Sequence, residues 1–363
     1  MAVEPFGEAA EGVPVERVTL SAHGLTVRLL TWGATVQDLW LDEVDHPLVL
    51  GFKDLEGYLA SPGYFGAIVG RFANRIAHGR ACIGGRDVAL ERNWKGHTLH
   101  GGAGGSGRQV WQIAEATKNS VTLHLSLPDG HMGFPATLEV DATYRIAAEG
   151  SWRLLEDSAL AVPHPGAVAN LDSLAQTAAA LDLTITAKSD AETICSFAPH
   201  SYFNLEGAID IAGHRLAVEA ARYLPVDEDL IPTGEIAPVN GTRFDLGGSG
   251  QILGPDRVFD HNLCLSEGRQ PLRPVALLSG GGVGMVLSTT EPGLQIYTAD
   301  GLSASRGLGG RAYGSRAGIA LEPQAWPDAP NRPWAAQAIL RPGETRVQRS
   351  VFAFARIEGE DQL

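Results

Sequence analysis

The clearest pattern in this chain is a series of short segments in which apolar and polar residues alternate between turn residues. Alternation with a period of two is typical of a strand that buries one face in a core. Residues 15–20 and 25–30 both show it, and they flank Ala22-His23-Gly24, a turn in which glycine can supply the positive φ that a tight connection requires. This stretch is predicted to form a pair of antiparallel strands.

Similar segments recur to the end of the chain and predict an all-β protein. The predicted strands include residues 33–40, 48–52, 121–127, 138–146, 181–185, 259–265, 294–298 and 318–322. The 44 glycines and 21 prolines are spread through the 363 residues, as expected for many short strands joined by turns. Length alone does not decide between one domain and two, because a β-sandwich of this size can be a single unit.

Charge and hydropathy narrow the possible partners. The formal net charge is −14 and the pI is about 5.2, so nucleic acid and anionic membrane surfaces would be repelled. A neutral or cationic small ligand fits better. The first twelve residues lack a basic region followed by an apolar one, and no apolar run is long enough to cross a bilayer, so a cytoplasmic protein is expected.

The three cysteines, Cys82, Cys195 and Cys264, are too far apart in sequence to suggest a metal-binding motif. They are predicted to be reduced thiols in the core.

Residues 199–207, reading PHSYFNLEG, combine an imidazole with a rigid frame. Pro199 has a fixed φ and no backbone N–H, so the chain should enter His200 extended, at the end of a strand. The apolar residues that follow can anchor the segment while polar groups reach a cleft. By itself, a histidine in this position is more often structural than catalytic.

Four further motifs change that interpretation. They are GRFANRI at 70–76, LHGG at 99–102, FDHN at 259–262 and LEPQAWPDA at 321–329. In this order and spacing the chain resembles the aldose 1-epimerase (galactose mutarotase) family from about residue 33 to residue 354. The resemblance implies a single domain, residues 1–363, with the large antiparallel β-sandwich of that family. It also implies an isomerase that interconverts the α and β anomers of a free aldose, such as galactose or glucose.

Residue types at the matching positions suit this chemistry. Arg75 and Asn74 offer donors and acceptors for hydroxyl groups, and Gln295 would be costly to bury without a partner. Glu322 lies among apolar and rigid residues, which should raise its pKa and make it a better base. By resemblance, His200, Glu322 and His100 are the catalytic residues, and the substrate-binding residues are Asn74, Arg75, Asp260 and Gln295.

Anomer exchange needs one base at the C1 hydroxyl and one acid at the ring oxygen, expected on opposite sides of the pyranose. The resemblance implies that Glu322 is the base and His200 the acid. A histidine suits this role, because its ordinary pKa of about 6.5 allows both protonation states near neutrality. No redox centre, phosphate or metal is required, and the chain has no dinucleotide or P-loop motif, so no cofactor is expected. His97 and His100 lie three residues apart, but the glycines at 101 and 102 favour a loop over a metal-binding helix.

Three features depart from the family pattern. Residues 105–111 lack a phenylalanine usual before the Val-Trp pair, and residues 193–198 replace a polar run before His200. Residues 151–178 form an inserted surface segment between two predicted strands, which is tolerated because closure entropy rises slowly with loop length. We assign it no chemistry.

Two alternative functions stay open at this point. A glycoside hydrolase could use Asp260 and Glu322 as its carboxylate pair, leaving His200 without a proton to transfer. A noncatalytic sugar-binding sandwich would keep the fold but not turnover. The expected partner is a monosaccharide, and the chain is expected to be a monomer or a homodimer.

Overall fold

The computed structural model describes residues 1–148 and 179–357, which form many short strands connected by turns. The first strands are β1 (Ala2–Glu8), β2 (Pro14–Ala22), β3 (Leu25–Leu30), β4 (Thr35–Leu41), β5 (Ile68–Val69), β6 (Arg75–Ile76), β7 (Arg80–Ile83), β8 (Arg86–Ala89), β9 (Thr98–Leu99), β10 (Gln112–Ala116), β11 (Ser120–Leu127) and β12 (Leu138–Ala147). They are followed by β13 (Ala179–Ser189), β14 (Thr193–Ile194), β15 (Ala198–Pro199), β16 (Tyr202–Phe203), β17 (Arg215–Val218), β18 (Arg222–Tyr223), β19 (Ala237–Pro238), β20 (Gln251–Ile252) and β21 (Asp260–Cys264). The remaining strands are β22 (Arg273–Gly280), β23 (Val283–Thr289), β24 (Gly293–Tyr297), β25 (Ser305–Arg306), β26 (Ala312–Tyr313), β27 (Ile319–Gln324), β28 (Ile339–Leu340) and β29 (Arg346–Arg356).

Helices are short. The described residues contain one α-helix, α1 (Leu55–Ala60). Asp54 caps its amino terminus, and the Asp54 side chain accepts a hydrogen bond from the backbone N–H of Gly57. The 3₁₀ turns are Ala10–Gly12, Ala77–Gly79, Ser106–Arg108, His131–Gly133, Leu308–Gly310, Ala329–Asn331 and Ala335–Gln337. Among the described residues, no helix is both long enough and apolar enough to cross a membrane.

Three sheets make up most of the fold. The largest has nine strands in the order β10-β11-β12-β13-β29-β23-β22-β17-β20, the second has six in the order β16-β27-β24-β21-β18-β19, and the amino-terminal strands form a sheet in the order β1-β2-β3-β4. The strand pairs in all three are antiparallel. The predicted all-β fold class, with large antiparallel sheets, is confirmed.

Several predicted strands lie where the alternation placed them. β2 and β3 pair across the His23-Gly24 turn, where both residues have positive φ. β12 and β13 pair in register, with Tyr144 opposite Leu183. The inserted segment predicted at 151–178, which connects these two strands, lies outside the described residues.

Two sequence predictions differ from the structure. Residues 48–52 are buried as expected, but they make an isolated bridge from Val49 to Phe203 rather than a strand, because Leu48 and Leu50 bond to different neighbours. Cys195 and Cys264 are buried thiols, whereas Cys82 is exposed on the small β7–β8 hairpin.

The main core lies between the nine-stranded sheet and the other two. Leu294 of β24 and Leu321 of β27 belong to the same apolar cluster as Leu287 of β23 and Phe352 of β29. Since successive side chains of a strand point to opposite faces, the neighbours Gln295 and Glu322 point away from this cluster. The outer face of the six-stranded sheet is therefore free to carry polar groups.

Candidate active site

Three predicted site residues share that outer face. Gln295 is directly opposite Glu322 in the β24–β27 pair, and Asp260 is opposite Tyr297 in the β21–β24 pair. The four positions are directly opposite each other or two residues apart in the sheet, so their side chains point to the same face. Glu322 lies two residues before the end of β27, not at its end as the sequence suggested.

His200 directly follows β15, at a strand end as predicted. Its backbone N–H donates to the carbonyl of Ala67 (2.9 Å), and its carbonyl accepts from Gly66 (3.0 Å). Two hydrogen bonds to one neighbouring segment fix the backbone on both sides of the imidazole, as a rigid catalytic position requires.

Arg75 lies in β6 opposite Leu99 of β9, and Asn74 and His100 directly flank this strand pair. Asn74 and His100 both have positive φ (65° and 52°), a conformation uncommon outside glycine that asparagine and histidine adopt more readily than most residues. Gly101 lies so close to the carbonyl oxygen of Gly70 that a Cβ atom would come within 2.1 Å of it. Glycine is therefore required for the loop to hold His100 against the 70–76 motif.

These elements surround one cavity with a volume of about 760 Å³, within the range of small-molecule sites. Its lining includes six of the seven predicted site residues, Asn74, Arg75, His100, His200, Asp260 and Glu322. The seventh, Gln295, lies behind Asp260 and does not line the cavity. The lining also includes aromatic residues that sequence analysis did not assign to the site: Tyr64, Trp94, Tyr202 and Tyr297.

A chain of hydrogen bonds fixes the polar wall of the cavity. Gln295 donates to Oδ1 of Asp260 (2.6 Å), and Arg75 donates to Oδ2 of Asp260 (3.1 Å). Arg75 also donates to Oδ1 of Asn74 (3.3 Å). Because both oxygens of Asp260 already accept hydrogen bonds, this carboxylate is oriented rather than free to attack a sugar.

His200 and Glu322 meet at the cavity wall, with Nε2 of His200 3.7 Å from Oε1 of Glu322. Both side chains are almost fully buried, and neither Nδ1 of His200 nor Oε2 of Glu322 has a hydrogen-bond partner within the described residues. The two groups lie side by side, so the expected arrangement on opposite sides of a pyranose is wrong. The reacting oxygens of a cyclic aldose share C1, and neighbouring acid and base groups can reach both of them.

Burial changes the protonation of both groups. It lowers the pKa of His200 to about 4, which overturns the expectation that this imidazole has an ordinary pKa. Burial, and then the negative charge of Asp260, raises the pKa of Glu322 well above its ordinary value, as the sequence indicated, although Arg75 opposes the shift. Between these two pKa values the pair holds one proton.

His100 is held as a hydrogen-bond donor. The backbone N–H of Asn74 donates to Nδ1 of His100 (3.1 Å), so we assign the ring proton to Nε2. Burial, and then the charge of His200, lowers the pKa of His100 well below its ordinary value and favours this neutral form. The ring contacts His200 edge-on, with centroids 5.3 Å apart.

One ligand atom from each of His100, His200 and Glu322 lies within 4.8 Å of the others, a spacing that a metal ion could bridge. A metal-binding histidine usually donates its second ring N–H to an acceptor. His100 instead accepts a hydrogen bond at that nitrogen and presents N–H to the cavity, which suits an oxygen of a substrate better than a cation.

Two of the departures from the family pattern, at residues 105–111 and 193–198, do not line the cavity. Trp111 is buried and donates to the carbonyl of Ser106 (3.0 Å), and the hydroxyl of Ser106 donates to the carbonyl of Ile68 (2.8 Å). In the 193–198 run, Ser196 accepts from the backbone of Ala325, and Phe197 pairs its backbone with Gln348. Neither of these side chains hydrogen-bonds to His200, consistent with its unpartnered Nδ1.

The chain is similar to known proteins over almost its whole length. A model of the aldose 1-epimerase family matches residues 16–156 and 173–353. Galactose mutarotase of Homo sapiens is 37% identical over 96% of this chain and 97% of its own length, and aldose 1-epimerase of Escherichia coli K12 is 30% identical over 95% and 97%. The crystal structure of a GalM/aldose epimerase homologue from C. elegans superposes with a TM-score of 0.80 at 25% identity, covering 94% of this chain and 99% of the other.

The fold is that of a β-sandwich, and the relatives it resembles over nearly its whole length are isomerases that act on aldoses. The chain belongs to the aldose 1-epimerase family. It is an enzyme that exchanges the anomers of an aldose, and the glycoside hydrolase and noncatalytic alternatives are not favoured.

Proposed function

We propose that His200 and Glu322 carry the two proton transfers of anomer exchange, with galactose or glucose as substrate. The observation that supports this assignment is their contact: an imidazole and a carboxylate, 122 positions apart in sequence, come within 3.7 Å at the wall of a sugar-sized cavity. General acid and base groups must reach their proton within hydrogen-bond distance, and this pair is close enough to reach the two oxygens on C1 together.

Ring opening uses the pair with its proton on His200. The Glu322 carboxylate takes the proton of the C1 hydroxyl, C1 becomes a carbonyl as its bond to the ring oxygen breaks, and His200 gives its proton to that oxygen. After rotation about C1–C2, closure on the other face of the carbonyl reverses both transfers. Atoms and charge balance, and the pair again holds one proton.

The proton-on-histidine form is accessible although burial disfavours it. Unit charges 3.7 Å apart attract each other by about 4 kcal/mol at an effective dielectric constant of about 20. This attraction offsets part of the cost of charging two buried groups. The transition from neutral pair to ion pair moves a proton between neighbours and does not change the total proton count.

The remaining residues orient the sugar. Arg75, Asn74 and Asp260 present fixed donors and acceptors to ring hydroxyls, and His100 presents its Nε2–H. Gln295 acts through Asp260, which it holds in place. Fixing the hydroxyls while C1 is left free lets the open-chain aldehyde rotate.

Polarimetry tests this assignment on sugars directly. Freshly dissolved α-glucose, α-galactose, xylose and arabinose should each be followed with and without enzyme, and decay of optical rotation should be accelerated most for galactose or glucose. Aryl glucosides and galactosides serve as the control. Release of reducing sugar from them, without faster mutarotation, would replace the proposal with glycoside hydrolysis.

The pH profile of kcat/KM should be bell-shaped, because the active pair holds one proton. The pair gains a second proton, on the imidazole of His200, only as the pH falls through the His200 pKa of about 4. The acidic limb should therefore lie near pH 4. The alkaline limb should follow the raised pKa of Glu322 and lie above the range of an ordinary carboxyl group. Rates are measured by polarimetry after subtraction of the uncatalysed rate at each pH, and an acidic limb centred near pH 6.5 would contradict the account.

We also propose a cytoplasmic location and a single domain spanning residues 1–363. The monomeric or dimeric state stays a prediction.

A further inference from the structure

A two-residue turn next to the sugar cavity carries an aromatic side chain that the mechanism above does not use. Trp94 and His97 exchange backbone hydrogen bonds of 3.1 Å and 2.7 Å, and the residues between them, Lys95 and Gly96, both have positive φ (44° and 84°). This is the geometry of a type I′ turn. It directs Trp94, which is partly exposed, into the cavity lining.

The indole of Trp94 packs against the substrate-binding arginine. The guanidinium carbon of Arg75 lies 4.5 Å from the centre of the ring, well inside the range of a cation–π contact. The two amino groups of the guanidinium are already directed to Asn74 and Asp260. Trp94 therefore restrains the plane of the guanidinium from its face.

The turn itself is anchored from outside the cavity. Nδ1 of His97 accepts from the backbone N–H of His78 (2.9 Å). Asp229 lies 3.4 Å from Nζ of Lys95 and 3.7 Å from Nε2 of His97. The next residue, Leu230, lines the cavity as well, so the Asp229 contacts hold two segments of the cavity rim together.

We propose that Trp94 is a positioning residue for sugar binding, which holds the Arg75 guanidinium in its binding orientation and forms an apolar edge of the sugar site. The inference rests on the proposed function. It assigns Trp94 an effect on sugar affinity and none on the proton transfers, because the indole packs on Arg75 and belongs to a turn at the cavity rim.

Kinetics by polarimetry should separate these two effects. Trp94→Ala should raise KM for galactose or glucose about tenfold, the scale of a partly desolvated cation–π contact, and change kcat less than about threefold. Trp94→Phe keeps an aromatic face and should restore most of the affinity. An unchanged KM in Trp94→Ala, or a kcat loss as large as the KM change, would overturn the proposal.

Tryptophan fluorescence gives a readout that does not depend on turnover. Of the tryptophans that the structure describes, Trp94 alone lines the cavity, so saturating sugar should change the emission of the wild-type protein. The change should be lost in Trp94→Phe and kept in Trp40→Phe, which removes a tryptophan outside the cavity. Emission that does not respond to sugar, or a response that persists in Trp94→Phe, would refute the role of Trp94. Absence of mutarotation in the wild type would instead refute the proposed function.

Discussion

Glu322→Gln should lower kcat for mutarotation about a thousandfold while sugar affinity stays within a few fold of wild type. The amide has nearly the same shape as the carboxylate, but it cannot accept the proton of the C1 hydroxyl. The cavity wall, including the Gln295–Asp260–Arg75 contacts, is unchanged by this substitution. Polarimetry gives kcat, and equilibrium titration with galactose gives the affinity.

The stability of the same variant provides an internal check. Burial raises the pKa of the Glu322 carboxyl group in the folded state. Its contribution to stability is therefore fully present at pH values below the pKa that the same group has in the unfolded chain, and it is lost as the pH rises through the folded-state pKa. An uncharged amide avoids that loss. Glu322→Gln should therefore unfold at the same temperature as wild type or higher at alkaline pH, which separates lost chemistry from lost structure.

A matched control is Glu115→Gln, which makes the same chemical change at an exposed position of β10. It should leave kcat and KM unchanged. Turnover of Glu322→Gln close to that of wild type would remove Glu322 from the role of base.

His200→Asn should lower kcat about a hundredfold or more, because the ring oxygen then departs without a general acid. Sugar binding should persist, since the hydroxyl-binding residues belong to other strands. The variant also replaces an imidazole whose Nδ1 has no partner within the described structure, so a large loss of stability is not expected. Polarimetry, with thermal unfolding alongside, measures both effects.

His23→Asn is the corresponding control. His23 is exposed, does not line the cavity, and has a positive φ that asparagine also tolerates. It should behave as wild type. A His200→Asn enzyme that keeps more than about a third of wild-type kcat would show that water or another residue protonates the ring oxygen.

Local patterns in the sequence were sufficient for much of the fold. The β2–β3 hairpin and the β12–β13 pair follow from alternation and turn chemistry, which act over a few residues. The buried run at 48–52 was interpreted as a strand because an apolar segment carries no information about its hydrogen-bond partners. Those partners are set by distant residues such as Tyr202.

The sequence singled out six residues that the structure brings together around one cavity, but it did not predict how they are arranged there. Motif order pointed to His200 and Glu322, yet their side-by-side contact and the lowered pKa of His200 depend on how β15 and β27 pack. The alternation of side chains along β24 and β27 could have placed Gln295 on the same sheet face as Glu322. The position of Gln295 behind Asp260, however, depends on side-chain packing between strands.

The role of Trp94 could not be predicted from the sequence for a different reason. The pattern Trp-Lys-Gly-His contains a turn signal and an aromatic residue close to His100, and these were the available signs of a role at the site. Nothing in local sequence indicates that the indole packs on Arg75, which lies 19 positions earlier.

A crystal structure of the Glu322→Gln variant with galactose bound tests the central claim most directly. We expect the C1 hydroxyl oxygen within about 3.2 Å of the side chain at position 322, and the ring oxygen within the same distance of Nε2 of His200. A sugar bound in this cavity with C1 turned away from either side chain would contradict the account.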